Sequence, residues 1–407
     1  MNTPASSAVE FRNVDILFGG KPKRREAALV QAALAALDCG KTRAQIAQET
    51  GVVVGVANAN LSVEHGEISV LMGLSGSGKS TLLRAANGLT PVTRGQVLVR
   101  DGEAIVDIAK CDARTLRRIR RLRIAMVFQQ FGLLPWRTVR DNVGFGLELR
   151  GEDASSRKRI IDEQLELVGL SQWANRHVSE LSGGMQQRVG LARAFATNAD
   201  VLLMDEPFSA LDPLIRGKLQ DELLALQARV KRTILFVSHD LDEALKLGDH
   251  ITILEGGRIV QSGTAEDIVV RPANDYVAEF VTHMNPLSVL TGMMVMRNRD
   301  QMARQEDSLW LDEERRYQLF MDEKEGPVSI KVDGQNYPLA MVAEGQGWED
   351  GRPGLAVTPA STSLSAIIKL RNATGHPVLL VQDSRVTGVC DECEIIRALA
   401  ADRRRAV

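Results

Sequence analysis

A glycine-rich segment between residues 73 and 81 has the composition of a loop that binds phosphate groups. Glycines let backbone N–H groups turn toward an anion, and the N-terminus of a following helix favours negative charge. Lys79 can neutralise phosphate oxygens, and the Ser80 hydroxyl can bind Mg²⁺. A glycine turn without a ligand is the alternative, and the spacing of these two residues argues against it. The candidate nucleotide-binding residues here are Gly73, Ser75, Gly76, Ser77, Gly78, Lys79, Ser80 and Thr81.

Two adjacent acids, Asp205 and Glu206, follow an apolar run at residues 201–204. In a doubly wound sheet, ligands bind beyond the carboxyl ends of the strands. Asp205 is therefore a candidate Mg²⁺ ligand. Glu206 is suited to polarise a water that attacks a phosphoryl group, since in-line transfer needs an oriented nucleophile. Taken alone, an apolar run that ends in two acids would more often be a capped strand end.

A second glycine turn contains Ser182, Gly183 and Gly184 and opens another helical segment, about twenty residues before the acidic pair. A serine hydroxyl, glycine N–H groups and a helix dipole together form an anion site. With this run in place, the sequence resembles the ABC ATPase family. The resemblance implies that these residues bind the γ-phosphate of an ATP held by a partner subunit, so that two copies of the chain work as a homodimer.

Further residues match motifs of that family in the expected order, and the resemblance implies their roles. Gln129 follows the apolar run 124–128 and is expected to sense Mg²⁺ and the attacking water while linking to a permease. Asp212 is expected at the subunit interface near ATP, and His239 at the γ-phosphate. The expected catalytic residues are Glu206, His239 and Gln129, and the expected Mg²⁺ ligands are Ser80, Gln129 and Asp205.

An aromatic side chain upstream of the phosphate loop is expected to stack on adenine in this family. Phe18 is the best candidate in this chain. An aromatic ring offers a flat apolar surface for such a contact. A phenylalanine in the hydrophobic core is an equally fair interpretation of the same residue.

The elements that must position these residues follow from the apolar patterning. An apolar run at 68–72 precedes the phosphate loop, and a helical pattern at 79–86 follows it. Further apolar runs at 124–128, 201–204 and 233–237 alternate with helical segments. This alternation predicts an α/β fold with parallel strands and crossover helices. The resemblance implies a P-loop ABC ATPase domain with a helical subdomain.

Domain boundaries are predicted from changes in composition along the 407 residues. We expect an ATPase domain at 1–284, a linker and degenerate segment at 285–350, and a small α/β module at 351–407. The ATPase domain carries a helical insertion at 21–52. Residues 42–51 could pass for a helix-turn-helix fragment, but no basic recognition helix follows, so an inserted helical hairpin is favoured.

Bulk composition excludes several classes of protein. The 52 acidic and 50 basic residues nearly cancel, which argues against a dedicated nucleic-acid or polybasic lipid-binding protein. The N-terminus has no leader-like pattern, and no apolar run is long enough to span a membrane. With only four cysteines, a soluble protein of a reducing cytoplasm is expected. Cys390 and Cys393 have metal-ligand spacing without a second pair, so we assign them no function.

Several stretches resemble the ATP-binding subunits of importers for quaternary amines such as glycine betaine, proline betaine and choline. They are the insertion before Gly55 and the runs 124–129, 208–216 and 238–244. The resemblance implies a membrane permease, an external substrate-binding protein that acts through it, and a peripheral location on the cytoplasmic face of a bacterial inner membrane.

The C-terminal region resembles one CBS module, at residues 355–399, whereas residues 290–350 lack a clean first copy. The sequence therefore does not predict a complete nucleotide-sensing pair, and a degenerate domain that supports dimerisation is an equal alternative. A single module offers fewer surfaces for sensing ionic strength, which slightly favours choline over osmotically gated betaine as cargo.

Two other classes of function remain as alternatives. A soluble ABC ATPase coupled to nucleic acid or translation usually carries tandem cassettes or a long coiled coil. This chain has one cassette, and its run 131–136 resembles the permease-docking segment of importers. A nucleotide-binding regulator without turnover would not need Glu206, because a sensor has no water to orient.

Overall fold

The computed structural model describes residues 7–19, 23–282, 290–305, 308–322, 325–343, 346, 348 and 353–401. The chain forms two compact units, Met1–Ala278 and Glu279–Val407. In chain order the first unit contains β1 (Ser7–Phe18), α1 (Lys23–Asp38), α2 (Arg43–Thr50), β2 (Val53–Glu64), β3 (Ile68–Met72), α3 (Lys79–Ala85), β4 (Arg94–Asp101), β5 (Ala104–Asp107), α4 (Ala113–Leu122), β6 (Ile124–Val127), α5 (Val139–Arg150), α6 (Ala154–Leu167), α7 (Gly183–Ala196), β7 (Val201–Asp205), α8 (Pro213–Val230), β8 (Thr233–Val237), α9 (Leu241–Leu247), β9 (His250–Glu255), β10 (Arg258–Gly263) and α10 (Ala265–Val270). The division falls inside α11 (Asp275–Thr282).

A six-stranded sheet with the order β10-β9-β3-β8-β7-β6 carries the predicted chemistry. The pairs β6–β7, β7–β8, β3–β8 and β3–β9 are parallel. Every residue of β3, β7 and β8 is buried, because helices and a second sheet cover both faces of the strands. The apolar runs therefore form parallel strands, and the α/β prediction is confirmed. The carboxyl ends of β3, β7 and β8 lead into the phosphate loop, the acidic pair and His239 respectively.

The second sheet, β2-β1-β4-β5, is antiparallel and shares a hydrophobic core with the first. Phe11 of β1, Leu71 of β3 and Leu82 of α3 belong to one buried cluster. Helices α5, α6 and α7 pack on one another as a helical subdomain. Among the described residues, no helix is both long and apolar enough to cross a membrane.

The predicted insertion at 21–52 contains α1 and α2, while residues 21 and 22 lie outside the described residues. Its apolar face packs against β2 through a buried cluster that includes Leu37, Ile46 and Val54. A capping box at Thr42 begins α2, and Gly51 ends it with φ 71°. The hairpin is thus a packed part of the first unit.

The second unit contains α12 (Gly292–Val295), β11 (Arg297–Asn298), β12 (Ala303–Gln305), β13 (Ser308–Trp310), β14 (Tyr317–Met321), β15 (Pro327–Val332), β16 (Gln335–Tyr337), β17 (Leu339–Met341), β18 (Leu355–Pro359), α13 (Leu364–Thr374), β19 (Val378–Gln382), β20 (Arg385–Cys390) and α14 (Glu392–Ala401). One sheet has the order β11-β20-β19-β18-β17, and β12 to β16 form an antiparallel meander. His376 joins the two, since its ring nitrogens lie 3.1 Å and 3.0 Å from the hydroxyls of Tyr317 and Tyr337.

This architecture differs from the expected linker at 285–350. Residues 297–341 contribute strands to both sheets of the second unit, and the division at 278/279 precedes the expected boundary at 284. The meander strands are only three to six residues long, too short to establish a clear alternation of apolar and polar residues in the sequence. The sequence also gives no signal for the division at 278/279, because this point falls within a single helix, α11.

Candidate active site

The phosphate loop runs from the end of β3 to the start of α3, and two of its glycines have no room for a side chain. Gly73 has φ 136°, and a Cβ there would lie 2.1 Å from the carbonyl oxygen of Leu254. Gly78 has φ 103°, and a Cβ there would lie 2.5 Å from the carbonyl oxygen of Gly55. The loop can therefore adopt this path only with glycine at both positions.

The Lys79 ammonium lies inside the loop and is almost fully buried, with 6% of its surface exposed. Its Nζ donates to the carbonyl oxygens of Gly73 at 2.7 Å and Leu74 at 2.9 Å. Burial lowers the pKa of Lys79 below its ordinary value, while the charges of Glu206 and Asp205 act in the opposite direction. The ammonium is thus a desolvated cation directed into the loop that would hold the phosphates.

Ser80 and Asp205 meet at the base of the loop. The Ser80 hydroxyl donates to Asp205 Oδ1 at 2.7 Å, and Asp205 is fully buried at the end of β7. Arg84, for which the sequence predicts no role, donates to Asp205 Oδ2 from Nε at 3.1 Å and from Nη2 at 2.7 Å. Mg²⁺ prefers such oxygen ligands, and it typically completes its shell with phosphate oxygens and water. The donor set therefore fits Mg²⁺ bound together with a nucleotide.

Glu206 is the point at which three strand ends converge. Gln129 follows β6, and its Nε2 donates to Glu206 Oε2 at 3.1 Å. His239 follows β8, and its Nδ1 lies 3.5 Å from the same oxygen. Glu206 has φ 49°, an uncommon backbone conformation for a non-glycine residue that is typical of functional sites. The structure thus brings the three expected catalytic side chains together around one carboxylate.

Gln187 on α7 is a contributor to the site for which the sequence pattern predicts no role. It is 1% exposed, its Nε2 donates to the Glu206 carbonyl oxygen at 3.1 Å, and its Oε1 accepts from the Ala210 N–H at 3.1 Å. A signal was present, because Gln187 precedes buried Gly190 and Leu191 by three and four residues and so lies on the apolar face of α7. A buried polar side chain on an apolar helix face needs hydrogen-bond partners.

Replacing Gln187 by Ala is expected to lower ATP turnover about tenfold, which corresponds to ~1.4 kcal/mol of the activation barrier. Without the bridging amide, the backbone of Glu206 and Ala210 loses two buried hydrogen bonds, and the Glu206 carboxylate loses its fixed position. The measurement is steady-state ATPase activity beside thermal unfolding. Gln186→Ala is the matched control, because the Gln186 amide donates to the Leu181 carbonyl oxygen and, among the described residues, has no hydrogen bond to Glu206 or Ala210. Equal losses in both variants would contradict the role of Gln187.

Ser182 and Asp212 are placed at the N-termini of two helices. The Ser182 hydroxyl accepts from the Met185 N–H at 3.3 Å at the start of α7, and Asp212 accepts from the Ile215 N–H at 3.0 Å at the start of α8. Gly183 and Gly184 form the first turn of α7. In the described part of the chain, no hydrogen bond joins Ser182 or Asp212 to the phosphate loop. One chain therefore displays two separate anion-binding features.

Phe18, the last residue of β1, is 42% exposed, which is unlike a core side chain. Its ring lies against Gly55, where a Cβ would come within 2.5 Å of Phe18 Cε2. Gly55 in turn contacts Gly78 of the phosphate loop. The fold thus places an exposed aromatic surface beside the loop, although the two are far apart in sequence.

The chain is similar to several known proteins. The ABC transporter family matches residues 56–209. The chain is 50% identical over 289 residues, 71% of this chain and 69% of the relative, to the ATP-binding protein of the glycine betaine/proline betaine transport system of Escherichia coli. It is 39% identical over 406 residues, 97% and 93% of the two chains, to the glycine betaine transport ATP-binding protein of Bacillus subtilis. It is 44% identical over 297 residues, 73% and 84%, to the trimethylamine N-oxide transport system ATP-binding protein of Ruegeria pomeroyi.

A solved structure shows the same likeness in three dimensions. It is an ATP-binding cassette determined as a dimer in a post-hydrolysis state with ADP and Pi bound. The TM-score is 0.53 at 29% identity, and the match covers 63% of this chain and 98% of the cassette.

Proposed function

This chain belongs to the ABC transporter family of ATP-binding proteins, and on that premise we propose that it hydrolyses ATP to drive an importer of small quaternary amines. The observation that carries the proposal is the Glu206 carboxylate, held by Gln129 and near His239 at the same sheet edge as Lys79. A site that only binds nucleotide has no use for a carboxylate held in this way. The substrate class is supported by the names of the relatives, which include transporters of glycine betaine and of trimethylamine N-oxide.

The residues divide the work of phosphoryl transfer among them. Lys79 neutralises charge on the phosphates, and the loop N–H groups orient them. Glu206 accepts a hydrogen bond from the attacking water and favours its in-line position, while Gln129 and His239 fix the carboxylate. Ser80, Asp205 and Gln129 would hold Mg²⁺, which would supply positive charge to the phosphate oxygens. Phe18 offers its exposed ring to adenine. The proposed ATP-binding residues are Phe18, Gly73, Ser75, Gly76, Ser77, Gly78, Lys79, Ser80, Thr81, Ser182, Gly183, Gly184 and Asp212.

Two copies of the chain are proposed to form the working unit. The N-terminus of α7 offers an anion site that has no hydrogen bond to the phosphate loop among the described residues. The phosphate loop is open on one side, since nothing lies within 4 Å of a Cβ built at Gly76. A head-to-tail pair places Ser182 of one chain over the phosphate loop of the other, with Asp212 nearby. Each nucleotide site is then completed by the α7 N-terminus of the partner chain. The solved cassette described above is likewise a dimer.

The permease partner is proposed to dock on residues 131–136. This segment is held firmly: Arg193 donates to the Phe131 and Gly132 carbonyl oxygens at 2.8 Å and 2.7 Å, and buried Asn142 bonds both backbone groups of Leu134. Trp136 nonetheless remains 72% exposed. A large exposed aromatic on a rigid segment is suited to a protein contact. Docking there makes the chain peripheral at the inner face of a bacterial inner membrane, with the external substrate-binding protein on the other side.

The experiment that tests the proposed function is reconstitution with its permease and substrate-binding protein in proteoliposomes, with ATP inside. We expect uptake of a quaternary amine that requires ATP. Because the C-terminal sequence resembles only one module, we expect choline to be preferred and uptake to change little with internal salt. Trp136→Ala should lower uptake while leaving the ATPase activity of the isolated chain unchanged.

Two results would contradict parts of this proposal. Steep activation by internal salt with glycine betaine preferred would overturn the choline assignment and keep the substrate class. ATPase activity stimulated by nucleic acid, with no ATP-dependent uptake of any quaternary amine, would favour the soluble ABC ATPase instead.

A further inference from the structure

The inserted hairpin α1–α2 contacts the phosphate loop through one side chain. Arg43 is the first residue of α2, and its Nη1 donates to the carbonyl oxygen of Gly76 at 3.1 Å. The stem of the side chain passes Gly256, since Arg43 Cδ lies 4.0 Å from the position of a Cβ there. None of the motifs that define the nucleotide site includes Arg43.

The contact falls on the outer corner of the loop. Residues 74–77 form a tight turn in which the Ser77 N–H donates to the Leu74 carbonyl oxygen at 3.1 Å, and Gly76 has φ 78°. The positive φ at the third position is that of a type II turn. At the other corner, the Leu74 N–H donates to the Tyr276 hydroxyl at 3.3 Å. The turn is thus hydrogen-bonded to Arg43 of α2 and to Tyr276 of α11, two elements that are distant in sequence.

The backbone that carries Arg43 is itself well anchored. The capping box of Thr42 and Gln45 fixes the start of α2. Ile46 is fully buried against β2. At the end of α1, Arg94 binds both carboxylate oxygens of Asp38 at 2.8 Å and 2.7 Å. An arginine on a rigid support loses less freedom on forming its hydrogen bond and restrains its partner more effectively.

We propose that Arg43 is a positioning residue for nucleotide binding: through it, the inserted hairpin holds the Gly76 peptide and preorganises the phosphate loop. The carbonyl of Gly76 and the N–H of Ser77 belong to one planar peptide, so restraining the carbonyl also fixes the orientation of that N–H. A loop already in its binding conformation avoids the entropic cost of ordering when the nucleotide binds. This inference rests on the proposed function, because it assumes that ATP binds at this loop.

The test compares Arg43→Ala with Lys41→Ala. Lys41 lies two residues away on the same hairpin and forms an exposed ion pair with Glu49 at 2.7 Å, without a contact to the loop among the described residues. We expect Arg43→Ala to weaken binding of fluorescent ATP and ADP analogues about fivefold, the scale of one typical hydrogen bond. KM for ATP should rise by the same factor while kcat stays within about twofold. Lys41→Ala should change none of these, and Arg43→Lys should recover part of the affinity.

Each other outcome has a defined meaning. Unchanged affinity in Arg43→Ala, or equal losses in Lys41→Ala, would overturn the proposal. Loss of ATP affinity with ADP affinity intact would also overturn it, because it would make Arg43 a direct ligand of the γ-phosphate. Should Arg43→Ala fail to fold, Arg43→Gln decides by the same criteria. A wild-type chain that binds no ATP would refute the proposed function before any variant is compared.

Discussion

Glu206→Gln is expected to lower ATP turnover by at least about a hundredfold, the scale of losing a catalytic base or water-positioning group. The amide keeps the shape of the side chain and can still contact Gln129, but it cannot accept a proton from the attacking water. Binding of ATP should be preserved, because Lys79 and the loop N–H groups are untouched. Steady-state hydrolysis and equilibrium binding of ATP are the two measurements.

The ATP-bound dimer should persist in this variant, since the ligand that joins the two chains is no longer consumed. Glu163→Gln, on the exposed surface of α6, is the control and should behave like wild type. A Glu206→Gln chain that hydrolyses ATP at a near-normal rate, or that fails to bind it, would show that our role for this carboxylate is wrong.

Chains with Lys79→Ala and chains with Ser182→Arg should each be inactive alone and partly active when mixed. If every site combines Lys79 of one chain with Ser182 of the other, a mixed dimer holds one intact site and one site with both defects. Random pairing in an equal mixture makes about half of the dimers mixed, so at most about a quarter of the sites are intact. ATPase activity of the mixture, measured against the amount of mixed dimer, tests this.

An equal mixture of wild type with Lys79→Ala chains is the control for subunit exchange. Full wild-type activity in the doubly mutant mixture would refute the shared site, because no more than one site per dimer can be intact. No recovery, with exchange demonstrated, would indicate that each chain completes its own site.

Local sequence was sufficient for the central sheet and for the residues that act on phosphate. Fully buried parallel strands read as continuous apolar runs, so β3, β7 and β8 could be located without a structure. The residues after such strands lie at one edge of the sheet, which predicts that Lys79, Asp205 and His239 meet. Their types and order along the chain then carried the family resemblance.

The tertiary structure decided which ordinary residues support the site. Gln187, Arg84 and Arg43 act through hydrogen bonds to residues 19, 121 and 33 positions away in the sequence. Nothing in their immediate neighbours encodes those partners. The meander at residues 303–337 was hidden for a related reason, because its short strands are stabilised by pairing and by packing on β18 to β20 more than by their own patterning. Sequence thus determined the chemistry and the strands that carry it, whereas contacts between distant segments determined how firmly that chemistry is held.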